Sequence, residues 1–77
     1  MKIRVELQAY LEDYSPDGQD KFAYEMPDGA TVADLIRKLG VPEELASVIT
    51  IGDEAIDASQ ALKEGDRVTV IPPVAGG

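Results

Sequence analysis

The stretch TVADLIRKLG, from Thr31 to Gly40, predicts the main helix of a small domain. Thr31 suits the N-cap position, and Asp34 places an acid in the first turn three residues later. The apolar residues recur at the spacing of one helix face: Val32, Leu35, Ile36 and Leu39. Gly40 stands where a left-handed residue commonly ends a helix. Such an amphipathic helix can cover one face of a small sheet.

Two predicted strands precede this helix and form a hairpin. Residues 2–10, KIRVELQAY, alternate polar and apolar side chains, as in a strand with one buried face. That buried face is predicted to hold Ile3, Val5, Leu7 and Ala9. After a loop rich in turn residues (12–20, EDYSPDGQD), residues 21–26 resume an extended segment. The exposed face of the first strand is expected to carry Glu6, Gln8 and Tyr10.

Shorter elements follow the helix. We predict a helical turn at residues 42–46, a strand at 48–51 and a brief strand at 55–56. The last strand is DRVTVI, residues 66–71, and the prolines after it stop the ladder because they cannot donate a hydrogen bond. This order predicts an α+β fold, a mixed four- or five-stranded sheet with one main helix packed on one face.

Composition narrows the chemistry of this 77-residue chain. It has no Cys and no His, which removes thiol nucleophiles, imidazole bases and the usual zinc ligands, so we expect no metal site and no bound cofactor. The adjacent acids Glu12-Asp13, Glu43-Glu44 and Asp53-Glu54 fall in predicted loops and are interpreted as solvated charges.

Charge and hydropathy limit the classes of partner that the protein can bind and the compartment in which we expect it. A formal charge of −8 opposes nucleic acid and anionic membranes as partners. The same charge either keeps the protein soluble or steers it toward a basic partner. The N-terminal segment alternates where a secretory signal would be continuously apolar, which predicts a soluble cytoplasmic protein.

The C-terminal residues PPVAGG present the distinctive reactive group of the chain. We predict one domain over residues 1–72 and a flexible Gly-Gly tail over residues 73–77. The prolines fix φ and direct the chain outward, and six extended residues reach about 20 Å. Gly76 and Gly77 lack Cβ atoms, so a narrow channel in another protein could close around them and reach the Gly77 carboxylate.

Three stretches resemble the ubiquitin-like sulfur carriers of the MoaD/ThiS type, in particular the small subunits of molybdopterin synthases. GDRVTVIPPVAGG, residues 65–77, resembles the end of those chains. DGATVADLIRKLG, residues 28–40, is similar to their turn and helix start, and KIRVELQAYL to their first strand. The resemblance covers most of the chain and implies the ubiquitin-like β-grasp fold.

The resemblance also implies a mechanism in which the chain is a carrier and not an enzyme. A zinc-containing, E1-like activating enzyme uses ATP to adenylate the Gly77 carboxylate, which is then converted to a thiocarboxylate. The tail would deliver this sulfur in the active site of the molybdopterin synthase large subunit, for the molybdenum or the tungsten cofactor. Gly77 bears the sulfur, and the implied partner-binding residues are Ile71, Pro72, Pro73, Val74, Ala75 and Gly76.

Three alternatives stay open on the sequence. The first is a sulfur carrier for the thiazole of thiamine, whose family members typically end in Ala-Gly-Gly without two prolines, so that PPV favours molybdopterin. The second is a ubiquitin-like modifier, in which a lysine amine attacks the adenylate and forms an isopeptide bond. The third is an interaction module whose tail has no chemical role.

Overall fold

Five strands form one mixed sheet in the computed structural model, which describes residues 1–73. The strands are β1 (Lys2–Leu7), β2 (Lys21–Glu25), β3 (Val48–Ile51), β4 (Glu54–Ile56) and β5 (Arg67–Ile71). Their order across the sheet is β2-β1-β5-β3-β4. The helix α1 (Val32–Leu39) packs on one face, so the predicted α+β architecture is confirmed in its five-stranded form.

The first and last strands lie side by side in the middle of the sheet. β1 and β5 run parallel, with Val5 opposite Val68 and Leu7 opposite Val70. β1 also pairs antiparallel with β2, which confirms the predicted hairpin, and β5 pairs antiparallel with β3. The residues after β5 therefore leave from the centre of the sheet and not from an edge strand.

The core between α1 and the sheet is apolar throughout. Alternate residues of the central strands are buried to 2% exposure or less: Ile3, Val5, Leu7, Val68 and Val70. On the helix, Val32, Leu35 and Ile36 close the core from above. No polar or charged residue among the described ones is buried. The described core therefore offers no polar side chain for chemistry, and the polar side chains of the described residues lie at or near the surface.

Two reciprocal hydrogen bonds between Thr31 and Asp34 cap the N-terminus of α1. The Thr31 backbone N–H donates to Asp34 Oδ2 at 2.9 Å, and the Asp34 N–H donates to Thr31 Oγ1 at 3.3 Å. This is a complete capping box, although Asp is shorter than the usual Glu. Gly40 ends the helix at φ 81°, a left-handed conformation that glycine adopts without steric cost.

The predicted first strand is too long. β1 ends at Leu7, and a 3₁₀ helix over Ala9–Tyr14 follows it. Ala9 has φ 53° and is exposed, so the expectation that it lies on the buried face is wrong. The break allows Leu11 to turn into the core, where it is fully buried. Burial of this larger side chain compensates for the strained residue before it.

The later elements fall close to their predicted places. The helical turn predicted at residues 42–46 is a second 3₁₀ helix, Glu43–Leu45. The strand predicted at residues 48–51 is β3, and the brief strand predicted at 55–56 gains one residue as β4. Within residues 1–73, no helix has the length and apolar character needed to cross a membrane.

Candidate functional site at the end of the last strand

β5 fixes the point from which the C-terminal residues depart. It is hydrogen-bonded to a strand on each side, and Val68 and Val70 anchor it in the core at 0% exposure. At its end the Gln8 N–H donates to the Val70 carbonyl at 3.1 Å, and Ile71 lies opposite Val48. Thr69 and Ile71 face away from α1. The backbone up to Ile71 is therefore held on both sides.

The two prolines after β5 differ in burial. Pro72 is buried and Pro73 is exposed. Of the predicted partner-binding residues, Ile71, Pro72 and Pro73 thus lie consecutively at the end of the central strand. The remaining ones, Val74, Ala75 and Gly76, lie outside the described residues, as does Gly77. The division at residues 72 and 73 and the role of Gly77 stay predictions.

Exposed apolar side chains lie at the same end of the sheet. Among the described residues, the large hydrophobic side chains with high exposure are Tyr10 at 51% and Val48 at 43%. Val48 pairs with the half-buried Ile71 on the face opposite α1. Tyr10 follows the end of β1, and because β1 and β5 are parallel, their ends meet at one edge of the sheet. Tyr10 and Val48, which we call the apolar rim, therefore lie at the edge of the sheet where β5 ends.

Sequence reasoning missed this rim for an identifiable reason. Tyr10 was expected on the exposed face of the first strand, but it belongs to the 3₁₀ helix. Gln8 also lies just beyond β1, so of the three predicted polar residues only Glu6 lies on the strand itself. The alternation of polar and apolar residues continues unbroken through Ala9, and it contains no signal for the end of the strand.

The face of the sheet opposite α1 is polar away from this rim. Glu6 is half-buried there, opposite Lys21 on β2 and Thr69 on β5. Its carboxylate accepts a long hydrogen bond of 3.4 Å from Gln8 Nε2. A depression of about 240 Å³ beside it is lined by Arg4, Lys21 and Arg67 among others.

The carboxylates with shifted pKa values stabilise turns and do not form catalytic pairs. A hydrogen bond from the Thr31 backbone amide lowers the pKa of Asp34 below its usual value. The Ser59 hydroxyl, which donates to Asp57, lowers the pKa of that carboxyl in the same way. A general acid at neutral pH needs a raised pKa, so these groups are fitted to structure and not to proton transfer.

The acid pairs and an apolar groove beside α1 add no catalytic geometry. The pairs Glu12-Asp13, Glu43-Glu44 and Asp53-Glu54 are all exposed. Within residues 1–73 no group of three or more acidic, His or Cys side chains is placed to hold a metal ion. A groove of about 490 Å³ beside α1 is lined mainly by apolar residues such as Ile36, Val41 and Ile49. The end of β5 therefore remains the candidate site.

Comparison with known proteins identifies the family. A family model described as the ThiS family matches residues 9–77, nearly the whole chain and including the tail. The chain belongs to the ThiS family. The resemblance to ubiquitin-like sulfur carriers is thereby confirmed, and this ThiS-family protein is a small carrier or modifier and not an enzyme. No match was found among curated protein sequences.

Solved structures are similar to this ThiS-family chain over its full length. A protein assigned as molybdopterin converting factor, subunit 1, from Pyrococcus furiosus is 31% identical, with coverage of 96% of this chain and 99% of that chain and a TM-score of 0.77. A complex of subunits 1 and 2 of the molybdopterin-converting factor from Helicobacter pylori contains a chain 26% identical, with full coverage of both chains and a TM-score of 0.62.

A third structural relative bears on the fold alone. The small archaeal modifier protein 1 of Haloferax volcanii is 23% identical, with coverage of 95% of this chain and 98% of that chain and a TM-score of 0.73. With these relatives, the predicted ubiquitin-like β-grasp fold is confirmed for this member of the ThiS family.

Proposed function

We propose that this ThiS-family protein is a cytoplasmic sulfur carrier for molybdopterin synthesis, in which the Gly77 carboxylate is adenylated and then converted to a thiocarboxylate. The observation that carries the proposal is that the family match runs through the tail, to residue 77, from a central strand held on both sides. A carrier needs a rigid domain and an end that enters a partner's active site. The exposed Pro73 directly after the buried Pro72 suits that requirement.

The activation chemistry explains why the chain needs no thiol or imidazole of its own. A carboxylate oxygen of Gly77 attacks the α-phosphorus of ATP, the bond to the β-phosphate breaks, and pyrophosphate leaves. A sulfur nucleophile supplied by the activation system then displaces AMP, which takes one carboxyl oxygen with it. The E1-like enzyme binds ATP and the metal ion, and the activation system provides the sulfur nucleophile. This chain therefore contributes only the carboxyl group and its placement.

Each residue near the end has a proposed part in that placement. Ile71 and Pro72 form the fixed base, and Pro73 and Val74 guide the chain outward. Ala75 and Gly76 have small side chains or none, so a channel that excludes water could close around them before Gly77 reaches the phosphate. The apolar rim of Tyr10 and Val48 would contact the surface around that channel.

Molybdopterin is the preferred destination of the sulfur because of the relatives above 25% identity. The Pyrococcus furiosus protein and the Helicobacter pylori complex both carry the description molybdopterin converting factor, and the latter pairs subunit 1 with subunit 2. We propose that this chain likewise delivers sulfur to the large subunit of a molybdopterin synthase. The PPV sequence before the Gly-Gly agrees with the resemblance of the chain to those small subunits.

Intact mass spectrometry tests the sulfur-carrier proposal. Incubation with the cognate activating enzyme, ATP and a sulfur donor is expected to add about 16 Da, the exchange of one oxygen for sulfur. A chain extended by one residue after Gly77 serves as the control, because it keeps the fold but has no carboxylate at the required position. An unchanged mass of the unextended chain, with an enzyme shown to be active, would refute the proposal.

The acceptor decides between molybdopterin and the alternatives. Addition of the thiocarboxylated chain to the synthase large subunit and its precursor is expected to form the dithiolene of molybdopterin. If the sulfur instead appears in the thiazole of thiamine, the destination is wrong but the carrier chemistry stands. Gly-Gly remnants on lysines of cell proteins, lost when Gly77 is deleted, would identify a modifier that uses the same adenylate.

A further inference from the structure

The cations of this acidic protein are concentrated on one face of the sheet. The chain has 7 Lys and Arg residues against 15 Asp and Glu residues. Four of these cations occupy alternate positions of β1, β2 and β5 that face away from α1: Lys2, Arg4, Lys21 and Arg67. All four side chains are exposed. The acids at outward positions of these strands are Glu6 and Glu25, so four cations face two acids here and the overall charge of −8 does not describe this face.

Arg4 and Arg67 are direct neighbours across the two central strands. Their Cα atoms are register partners in the parallel pair of β1 and β5, so their backbones lie about 4.8 Å apart. Like charges directly opposite each other destabilise a sheet. Folding alone therefore gives no reason for two arginines at this position.

Neither arginine is neutralised by a described carboxylate. The ion pairs within residues 1–73 involve only the Met1 ammonium and Arg37 as cations. Glu6 is the nearest acid in the register, but its carboxylate accepts from Gln8 and forms no ion pair with Lys21 opposite it. The guanidinium groups thus keep their donors for an external ligand.

These side chains surround one shallow depression. Arg4, Lys21 and Arg67 line the space of about 240 Å³ on the face opposite α1 together with the half-buried Glu6, and we call the three cations the basic patch. Arg4 and Arg67 lie at the start of β5, about 13 Å along the strand from Ile71, and Lys21 lies level with Thr69 in the middle of β5. The patch and the apolar rim therefore consist of different residues of the same domain.

We propose that the basic patch binds surface carboxylates of the enzyme that adenylates Gly77. The proposal rests on the proposed function, and it names the activating enzyme because every version of that function begins with adenylation. A paired-arginine surface matches carboxylates in bidentate geometry. The negative charge of the rest of the chain repels an extended polyanion such as nucleic acid, which favours a compact acidic patch on a protein.

The patch gives the encounter an orientation that the tail alone cannot give. An acidic partner surface is attracted to one face of this domain and repelled by the others, so association selects a single approach. Contact at the patch and at the apolar rim then fixes β5 at two points along its length. The direction in which the C-terminal residues enter the partner follows from that alignment.

ATP–pyrophosphate exchange tests this proposal without a sulfur donor. The double variant Arg4→Gln, Arg67→Gln is expected to raise the KM for the carrier about tenfold and to leave kcat unchanged, because the tail itself is intact. The matched control is Arg37→Gln, Lys63→Gln, which removes the same two charges from other surfaces and is expected to leave KM within about twofold. A rise in salt from about 20 to about 300 mM is expected to raise the KM of the wild type more than that of the patch variant.

The outcomes separate the two proposals. An absence of exchange with the wild-type chain, using an activating enzyme of proven activity, overturns both the function and the patch. Exchange with equal KM for the wild type and the patch variant overturns the patch alone. In that case binding of wild type to single-stranded DNA, or its self-association, lost in the variant, would show that the patch serves a different ligand.

Discussion

Thr31 and Asp34 satisfy each other's backbone amides at the first turn of α1. A helix of eight residues is too short to be stable alone, so the cap and the packing against the sheet must both contribute. The capping box forms with the shorter Asp side chain, because the Thr31 nitrogen and Asp34 Oδ2 lie 2.9 Å apart. This pair was identified from the sequence, since the spacing of N-cap and acid is local and needs no tertiary information.

Removal of the Thr31 hydroxyl should destabilise the domain measurably. Thr31→Ala is expected to lower the free energy of unfolding by about 1 kcal/mol, because the Asp34 N–H loses its acceptor. Urea denaturation at neutral pH measures the change. Thr31→Ser keeps the hydroxyl and should stay within about 0.5 kcal/mol of the wild type. Equal losses in both variants would show that the methyl group, and not the cap, matters.

The lowered carboxyl pKa values predict a loss of stability in acid. Hydrogen bonds from Thr31 and Ser59 lower the pKa of Asp34 and the pKa of Asp57 in the folded state. Their contribution is therefore complete above the unfolded pKa of about 3.9 and disappears as pH falls through the lower folded values. The variant Asp34→Asn, Asp57→Asn should lose less stability than the wild type between about pH 5 and about pH 2.

Urea midpoints measured across that range check the acid prediction. Asn keeps an acceptor oxygen at both positions but cannot titrate, so it isolates the proton-linked part of the effect. Parallel curves for the wild type and the double variant would mean that other carboxylates dominate the acid unfolding.

At the scale of elements, β5 joins the core to the candidate site. Its inward residues are fully buried and its last residue pairs with β3 beside the exposed Val48. The identity of β5 as the last strand was predictable from RVTVI and the prolines after it. Its position between β1 and β3 was not, because the pairing depends on contacts more than 60 residues apart in sequence.

Two valine substitutions near the end of β5 should lower the free energy of unfolding by different amounts. Val70→Ala is expected to lower the free energy of unfolding by about 2 kcal/mol, because it leaves space in a core where Val70 is 0% exposed. Val48→Ala makes the same chemical change at a side chain 43% exposed and should cost less than about 0.5 kcal/mol. Denaturant unfolding of both variants makes the comparison, and similar losses would contradict the assigned burial.

The 3₁₀ helix after β1 shows the limit of pattern analysis. Ile3, Val5, Leu7, Ala9 and Leu11 continue one alternation, and only the folded structure reveals that the chain leaves the sheet after Leu7. Tertiary packing imposes the positive φ of Ala9, since Ala has no intrinsic preference for that conformation. The apolar rim at Tyr10 was hidden for the same reason.

Across the whole molecule, charge is distributed unevenly. Composition alone could suggest a basic partner, whereas the strand register gathers cations on the face opposite α1. Which side chains share that face depends on the pairing of β1 with both β2 and β5. The family was predictable because the motifs that carry it are contiguous in sequence, while this surface is assembled from separate residues.

Excess negative charge should make the stability of the protein depend on salt. A charge of −8 on a small domain repels itself, and the few described ion pairs have exposed carboxylates. An increase from about 10 to about 200 mM NaCl is expected to raise Tm by about 3–5 °C through screening. Calorimetry or circular dichroism measures this shift. A Tm that falls with salt would instead show that attractive charge pairs dominate.

The parallel pairing of β1 and β5 has a mechanical consequence. A partner that withdraws the C-terminal residues pulls along the axis of β5, away from a domain that is also held through β1. The hydrogen bonds between β1 and β5 are then loaded in shear and do not break one after another. They span the paired residues from Arg4 and Arg67 to Leu7 and Val70. The strand that presents the tail is thus also a clamp, which lets force be applied to one end of the protein while the fold resists it.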